Sequence, residues 1–471
     1  LLNMRGSTRA KVDVFIGLAT ILLIAFSLSS CASYTARALR MRELLSQEDY
    51  EKTLQKVEKI DKKTSALLYL YEKGLVLHNE GSFEESNRCF EESDLLLEDL
   101  YTRSVSREVG ALVTSDVIIK YRGERFESAL IHYYKILNYL YLGQPEEALV
   151  ECRKLNHKLQ TFLDQEGSYY VNDPFLQYLT GMVYFMEGEH VDANVSLRVA
   201  LEWYQKLHQA YQVEIPELLY CDLVKSAQAL GELEEAALYR KECERTGDEA
   251  ADDDWGAVNI FLECGYVPFK REINIVLPIY KDEVSDDWDK DALAVTLAGR
   301  HGEPVVHGRE IEYLLRVSIP EMVVEPSRFE YAKIRTVNPD GSFGKEVSTT
   351  LVENPGNLAW RAFEERKATI LLKTVLRGLA KYLGTSKAEK SKGKLFGWIV
   401  NLFGVATESA DTRSWTTLPE KILMARLELP EGDYEISVDV FGFSQELVES
   451  FSIPDVNIRA DRTTFLNYRV Y

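Results

Sequence analysis

Proline is scarce in the first half of this 471-residue chain: three fall between residues 32 and 250, against ten between 251 and 471. So few breakers allow almost uninterrupted helix up to about residue 250, and the shift marks a change of architecture there. Positive charge is short as well. With 55 Lys and Arg against 75 Asp and Glu, the net charge of -20 excludes nucleic acid as the expected partner, because such binders present a basic face. Without residues 1–30 the balance is 52 basic against 74 acidic, so the mature chain is expected to be acidic throughout, with a local basic strip left open as the less favoured alternative. Catalytic signatures are missing too: there is no G-x-S-x-G, no H-E-x-x-H, no phosphate-cradling G-x-x-x-x-G-K and no dinucleotide fingerprint. Of seven histidines only His301 and His307 stand near one another, and the six cysteines show no short metal-ligand spacing. Asp287, Asp289 and Asp291 alternate as calcium ligands do, but the loop glycine is absent and Ala298 stands at the closing acidic position. Neither an enzyme nor a metal or cofactor site is expected.

The N-terminus carries the sharpest motif. From Met4, taken as the start, Arg5, Arg9 and Lys11 precede the apolar run Val14 to Leu28, which is short for a membrane span and ends in Leu28-Ser29-Ser30-Cys31. Small residues before that cysteine resemble the bacterial lipobox. The resemblance implies a signal peptide over 1–30, diacylglycerol on the Cys31 thiol and an acyl chain on its new amino group. Several acyl chains anchor stably where one does not. Ala32 rather than aspartate follows, which by the same resemblance points to the outer membrane, with the protein facing the periplasm. Residues 31–45 are expected to be a tether.

The stretch Pro174 to Tyr204 reads as two helices folded back at Gly188-Glu189. Phe175, Leu179, Met182 and Tyr184-Phe185 recur at helical spacing before the turn, and Val191, Val195, Leu197 and Val199 to Leu201 after it. Gly181 and Ala193 are small where the two helices must touch. Together with Tyr184, Leu197 and Ala200 they resemble a tetratricopeptide repeat. Weaker matches centre on Gly81, Gly143 and Gly231. The turn glycines are 62, 45 and 43 residues apart, where a strict array would give about 34. One hairpin cannot bury its apolar face alone, so a stacked solenoid is expected over 46–247.

In the tetratricopeptide family the first helix of each pair lines a concave groove. Carried over, this makes Tyr71, His78, Tyr133, Tyr141, Tyr178, Met182, Phe185, Met186, Lys225 and Gln228 candidate partner-binding residues. The alternative for these side chains is core between hairpins. Cys89, Cys152, Cys221, Cys243 and Cys264 are odd in number once Cys31 is lipidated. Cys89, Cys152 and Cys243 lie on or beside apolar faces of second helices, where a free cysteine acts as a small hydrophobe; the alternative, in an oxidising periplasm, is a bond within a pair such as Cys221 and Cys243, which stand on the two helices of one hairpin.

An acidic linker is expected over 248–268, within which ADDD at 251–254 lacks large apolar residues. Beyond it strands alternate at 272–277, 292–297, 311–319 and 329–337. One helix follows at 358–383, with an apolar stripe through Phe363, Ile370, Val375 and Tyr382. A Lys-rich link at 387–394 leads back to strands at 422–429, 434–441, 447–453, 456–459 and 465–470. The expected class is therefore α+β and multidomain: a tetratricopeptide-like α-solenoid, then a β-rich, sandwich-like domain over 269–471 with one long packing helix. Leu395 to Val405 is an apolar run suited either to a buried helix or hairpin or to the membrane interface. Asp411, Arg413 and Trp415 are a candidate contact surface, although turn capping and core anchoring explain the same residues and are the preferred reading.

The blocks GYVPFKREINIVLPI at 265–279, AFEERKATILLKTVLRGLAKYL at 362–383 and ESADTRSWTTLPEKILMARLELPEGDY at 408–434 resemble a family of bacterial tetratricopeptide outer-membrane lipoproteins without established activity. The resemblance implies a lipid-anchored periplasmic scaffold that binds protein partners in a cell-envelope complex. An activator of a peptidoglycan synthase is the first alternative, and a wall-remodelling enzyme the second.

Overall fold

The computed structural model describes residues 34–102, 120–166, 173–211, 213–244, 255–280, 311–325, 327–392 and 409–471. Cys31 and the signal peptide lie outside them, as do the Asp287 loop, the strand at 292–297, His301, His307 and the run Leu395 to Val405.

The described part begins with α1 (Tyr34–Leu45) and α2 (Tyr50–Val57). Four antiparallel hairpins follow: α3 (Ala66–Glu80) with α4 (Phe83–Thr102), α5 (Arg125–Tyr141) with α6 (Pro145–Glu166), α7 (Pro174–Met186) with α8 (His190–Tyr211), and α9 (Glu217–Ala229) with α10 (Leu233–Cys243). Gly81, Gly143, Gly188 and Gly231 turn the four pairs, each at a positive φ of 67 to 88° that a side chain would oppose. Within the third pair the helices come close because Gly181 has no Cβ; one added there would sit 2.7 Å from Leu197 Cγ. Cys221 and Cys243 are joined by a disulfide that ties α9 to the end of α10.

The expected tether at 31–45 is corrected. Residues Tyr34–Leu45 form a helix whose Ala38, Met41 and Leu45 are buried against Val57, Ile60 and Val76. Its apolar positions recur three and four apart, so it has a face to bury and does bury it.

The β-rich half holds β1 (Trp255–Cys264), β2 (Phe269–Tyr280), β3 (Ile311–Val323), β4 (Tyr331–Val337), β5 (Phe343–Ser348) and β6 (Thr350–Glu353). Then come α11 (Pro355–Lys392), β7 (Lys421–Pro430), β8 (Gly432–Phe441), β9 (Leu447–Ile458) and β10 (Thr463–Val470). One four-stranded sheet runs β10-β1-β7-β6, a second runs β5-β4-β8-β9, and β2 pairs with β3 alone. Strand β1 is parallel to β10 and antiparallel to β7, so residues from the two ends of this half share one ladder.

Four expectations shift here. The linker over 248–268 contains β1, a strand in the middle of its sheet and buried along most of its length. Its run AVNIFLEC does not alternate in hydropathy because both faces are covered. The helix at 358–383 extends to Pro355–Lys392, taking in the first part of the Lys-rich link; Lys and Ala are good helix formers. Strands 447–453 and 456–459 are one, β9, with a register shift opposite Tyr434 and Ile436. Strands β5 and β6 were not anticipated.

Alternation along β1 and β7 decides what each sheet face meets. Val258, Ile260, Leu262, Leu423, Ala425 and Leu427 point one way and join Ile334, Ile436, Val438 and Ile453 of the second sheet in a shared core. Phe261, Ile422, Met424 and Phe465 point the other way and join the helical core of Tyr133, Phe175, Tyr178 and Tyr204. The helical array and the β-rich half are thus packed layer on layer, and the second is not held at a distance from the first.

Candidate functional site

The first helices α3, α5, α7 and α9 do share one face, as the repeat pattern requires, and that face is already filled. Its occupant is the sheet β10-β1-β7-β6 of the same chain. Tyr71, Tyr133 and Tyr178 are fully buried, His78 and Met182 nearly so, and Tyr141, Phe185, Met186 and Lys225 are half-buried; of the ten groove candidates Gln228 alone is exposed. The reading of these residues as an open partner-binding groove is corrected: Tyr71, His78, Tyr133, Tyr141, Met182 and Lys225 contact the chain's own second half, and Tyr178 reaches it through Asp222.

Polar groups set the register of this contact. Glu263, on β1, accepts from Tyr133 Oη and Tyr134 Oη at 3.1 Å each and from Asn467 Nδ2 at 2.6 Å. The second proton of Asn467 Nδ2 goes to His78 Nε2 at 2.9 Å, and His78 Nδ1 meets Asn138 Oδ1 at 2.6 Å. This fixes the neutral Nδ1–H tautomer. Burial lowers the His78 pKa in the same sense. Tyr141 Oη donates to Asn467 Oδ1 at 2.6 Å and accepts from its backbone N–H at 2.7 Å. Every donor in the chain of contacts meets an acceptor, which is the condition for a buried polar network to favour one arrangement.

A second cluster lies two hairpins further on. Arg426 of β7 forks onto Asp222 of α9 at 2.5 and 2.8 Å, and Tyr178 Oη donates to the same carboxylate at 2.7 Å. Arg426 also reaches Asn259 Oδ1 at 2.8 Å and Met182 Sδ at 3.5 Å. Burial alone would raise the Asp222 pKa; the guanidinium outweighs it and holds it below the usual range. Lys225 Nζ donates to Glu428 at 2.5 Å beside it.

At the amino-terminal end the segment 411–418 threads between α1, α3 and α5. Trp415, almost fully buried, stacks on Tyr71 with ring centroids 4.8 Å apart. Glu72 accepts from Thr416 N at 3.1 Å, from Thr417 Oγ1 and from Tyr34 Oη at 3.0 Å. Glu127 accepts from Trp415 N at 2.8 Å and Tyr121 Oη at 2.6 Å. Burial pushes the Glu72 pKa up and that of Glu127 up to about 7, with Glu124 nearby adding to the latter. Arg413 donates to Thr64 O at 2.9 Å and to Asp411 at 2.7 Å. The candidate contact surface of Asp411, Arg413 and Trp415 is therefore corrected as well: Arg413 and Trp415 are interior, and only Asp411 is partly exposed.

A cavity of about 300 Å³ opens where α5 to α8 meet β6 and the start of α11. Asp173 and Glu353 stand in its wall with Arg125, Arg361 and Tyr204. Asp173 caps α7 through Leu176 N at 3.0 Å, and Glu353 accepts from Asn354 N at 2.6 Å. The two carboxyls act on each other, and burial raises the pKa of both. Sequence reasoning missed this pair because 180 residues separate its members; each precedes the first turn of a helix, which was the available signal. Among the described residues no cluster of His, Cys, Asp or Glu could hold a metal ion, and no helix is long and apolar enough to cross a membrane.

No family model matches the chain, and no curated protein matches it. Solved structures to which it is similar include BtubC (BKLC) from P. vanneervenii, 16% identical over 45% of this chain and 76% of that one, with a TM-score of 0.31. MamA 41-end from Desulfovibrio magneticus RS-1 is 15% identical over 46% of this chain and 97% of its own, with a TM-score of 0.28. A Podosopora anserina putative kinesin light chain with nearly identical TPR-like repeats is 14% identical over 45% and 93%, with a TM-score of 0.29. Likenesses this distant assign neither a partner nor an activity.

Proposed function

We propose that the chain is a lipid-anchored scaffold of the bacterial cell envelope, which uses its own sheet to stiffen the helical array and offers the convex face of that array to a protein partner. One row of side chains carries this reading. Ala148, Ala193 and Ala236 occupy the same packed position in α6, α8 and α10, each fully buried. Two residues after each comes an outward apolar side chain: Val150 is 40% exposed, Val195 53% and Leu238 73%. The regular period of the array thus lays an aligned apolar row across three hairpins. Val191, 64% exposed, extends it. Val191 and Val195 read as core from spacing alone; they face solvent because α8 has only one neighbour layer. Aliphatic side chains in a row are more than scattered surface apolars and fit the flat face of a partner. The Cys221–Cys243 disulfide supports an oxidising compartment, and the signal-like start with Cys31 supports a lipid anchor.

Placing a photo-crosslinking residue at Val195 in intact cells should capture an envelope protein, and Val150→Glu with Leu238→Glu should cut that yield roughly five-fold or more. A crosslinker at exposed Phe443, on the opposite layer, is the control. Equal yield from Phe443, or no loss with the charges, would overturn the docking face. The identity of the captured protein separates a wall-synthase activator from other scaffolds. Cys31→Ser should move the chain from the membrane fraction to the soluble one and abolish palmitate labelling; retention of both would overturn the anchor.

A further inference from the structure

A second cavity, about 370 Å³ in volume, lies beside α11 and reverses the charge of the molecule around it. Arg366, Ile370, Lys373 and Arg377 recur on one face of that helix and line it. Lys270 of β2 and Arg413 close the far wall, while Lys120 and Arg122, in the lead-in to α5, stand at its edge. Two carboxylates line the same space, Glu124 and Asp411, and both are engaged. Glu124 pairs with Arg366 and lies 3.7 Å from Lys270; Asp411 holds Arg413 through contacts of 2.8 and 2.7 Å. Among the described residues no carboxylate pairs with Lys120, Arg122 or Lys373. Among the described residues seven cations therefore line this cavity with two anions, in a chain whose net charge is -20. The expectation of a mature protein acidic throughout fails here, because the cations come from four segments distant in sequence and no window of the sequence shows them together.

Like charges brought this close repel unless an anion joins them. We propose that the cavity binds a phosphate-bearing ligand, a phosphomonoester or pyrophosphate group. Four guanidiniums present planar forks to tetrahedral oxyanions, and three lysines add point charges. The volume falls within the range of small-ligand sites. Pro320 and Ile370 give one wall an apolar surface on which the uncharged part of such a ligand would rest.

The full chain titrated calorimetrically with inorganic pyrophosphate should bind one equivalent with a Kd below about 1 mM. Arg122→Glu with Lys373→Glu, both exposed side chains, should weaken this roughly ten-fold or more, and Lys206→Glu on α8 should not. Lys120→Glu replaces the pair of substitutions should they alter the melting curve. Flotation with phosphatidylcholine vesicles, with and without phosphatidic acid, distinguishes a lipid headgroup from a free phosphate: binding that needs phosphatidic acid and is lost in the variant assigns the lipid. Loss of pyrophosphate binding in the variant, without vesicle binding by the parent, assigns the soluble ligand. No saturable binding in either arm, or equal binding by parent and variants, would overturn the site.

Discussion

Arg426→Met should lower the free energy of unfolding by about 3–5 kcal/mol, read as the shift of a urea transition at pH 7.5. The substituted side chain fills similar space, so the loss is electrostatic. It strands the Asp222 carboxylate under Tyr178, with one hydroxyl donor in place of three donors. Both members are largely out of water, with side chains 6% and 13% exposed, so solvent screens little of the effect. Asp222→Leu should cost a similar amount by stranding the guanidinium. The double variant Asp222→Leu with Arg426→Met should recover most of the loss, since a buried pair exchanged for apolar groups is close to neutral. Additive losses in the double variant would mean that the two groups do not act on each other. Because the pair joins α9 to β7, the single variants should also unfold with the helical and β-rich halves no longer in one transition, visible as separate changes in helical circular dichroism and Trp415 fluorescence.

What the sequence made legible was whatever depends on neighbours in the chain. Helical spacing and the Gly188 turn located α7 and α8, and Gly181 with Ala193 located their contact, because those signals are local. The face shared by Tyr71, Tyr133 and Tyr178 was legible too, as a face that must meet something. Its occupant was not, because Glu263, Arg426 and Asn467 carry no mark in their own strands that says they belong to a helical array. Strand β1 was hidden for a related reason: a strand covered on both sides loses the alternation by which strands are read. Trp415 reads from its own segment as surface or as core, with core preferred, and the stacking of Tyr71 on its ring places it in the core. The same gap explains the cavity beside α11, where a charge excess is assembled from segments that are individually unremarkable in composition.

The second large effect is a dependence of stability on pH that runs opposite to acid denaturation. Glu353 and Asp173 share the wall of one cavity, and Asp173 Oδ2 is buried with no amide or hydroxyl donor among the described residues. Its neighbour Glu353 keeps a proton in the fold, because burial and the Asp173 carboxylate raise its pKa well above the carboxylate range. A carboxyl that keeps its proton in the fold and loses it in the unfolded chain stabilises the protein fully below the unfolded pKa, and that stability is lost as pH rises towards the folded one. Between pH 6.5 and 8 this group should remove stability as pH rises, at no more than about 1.4 kcal/mol per pH unit. Glu127, raised to about 7, acts in the same direction. His78 and His132, lowered by burial, oppose it weakly in this window. Glu353→Gln isolates the pair. Its amide nitrogen donates to Asp173 and its carbonyl accepts from Asn354 N, so the contacts survive without a titrating proton. The variant should gain on the parent steadily as pH rises from 5 to 8 in urea unfolding, by up to about 1.4 kcal/mol for each pH unit. Parallel stability curves for the two proteins across that range would show that Glu353 is already ionised in the fold, and that Asp173 is held by something other than its proton.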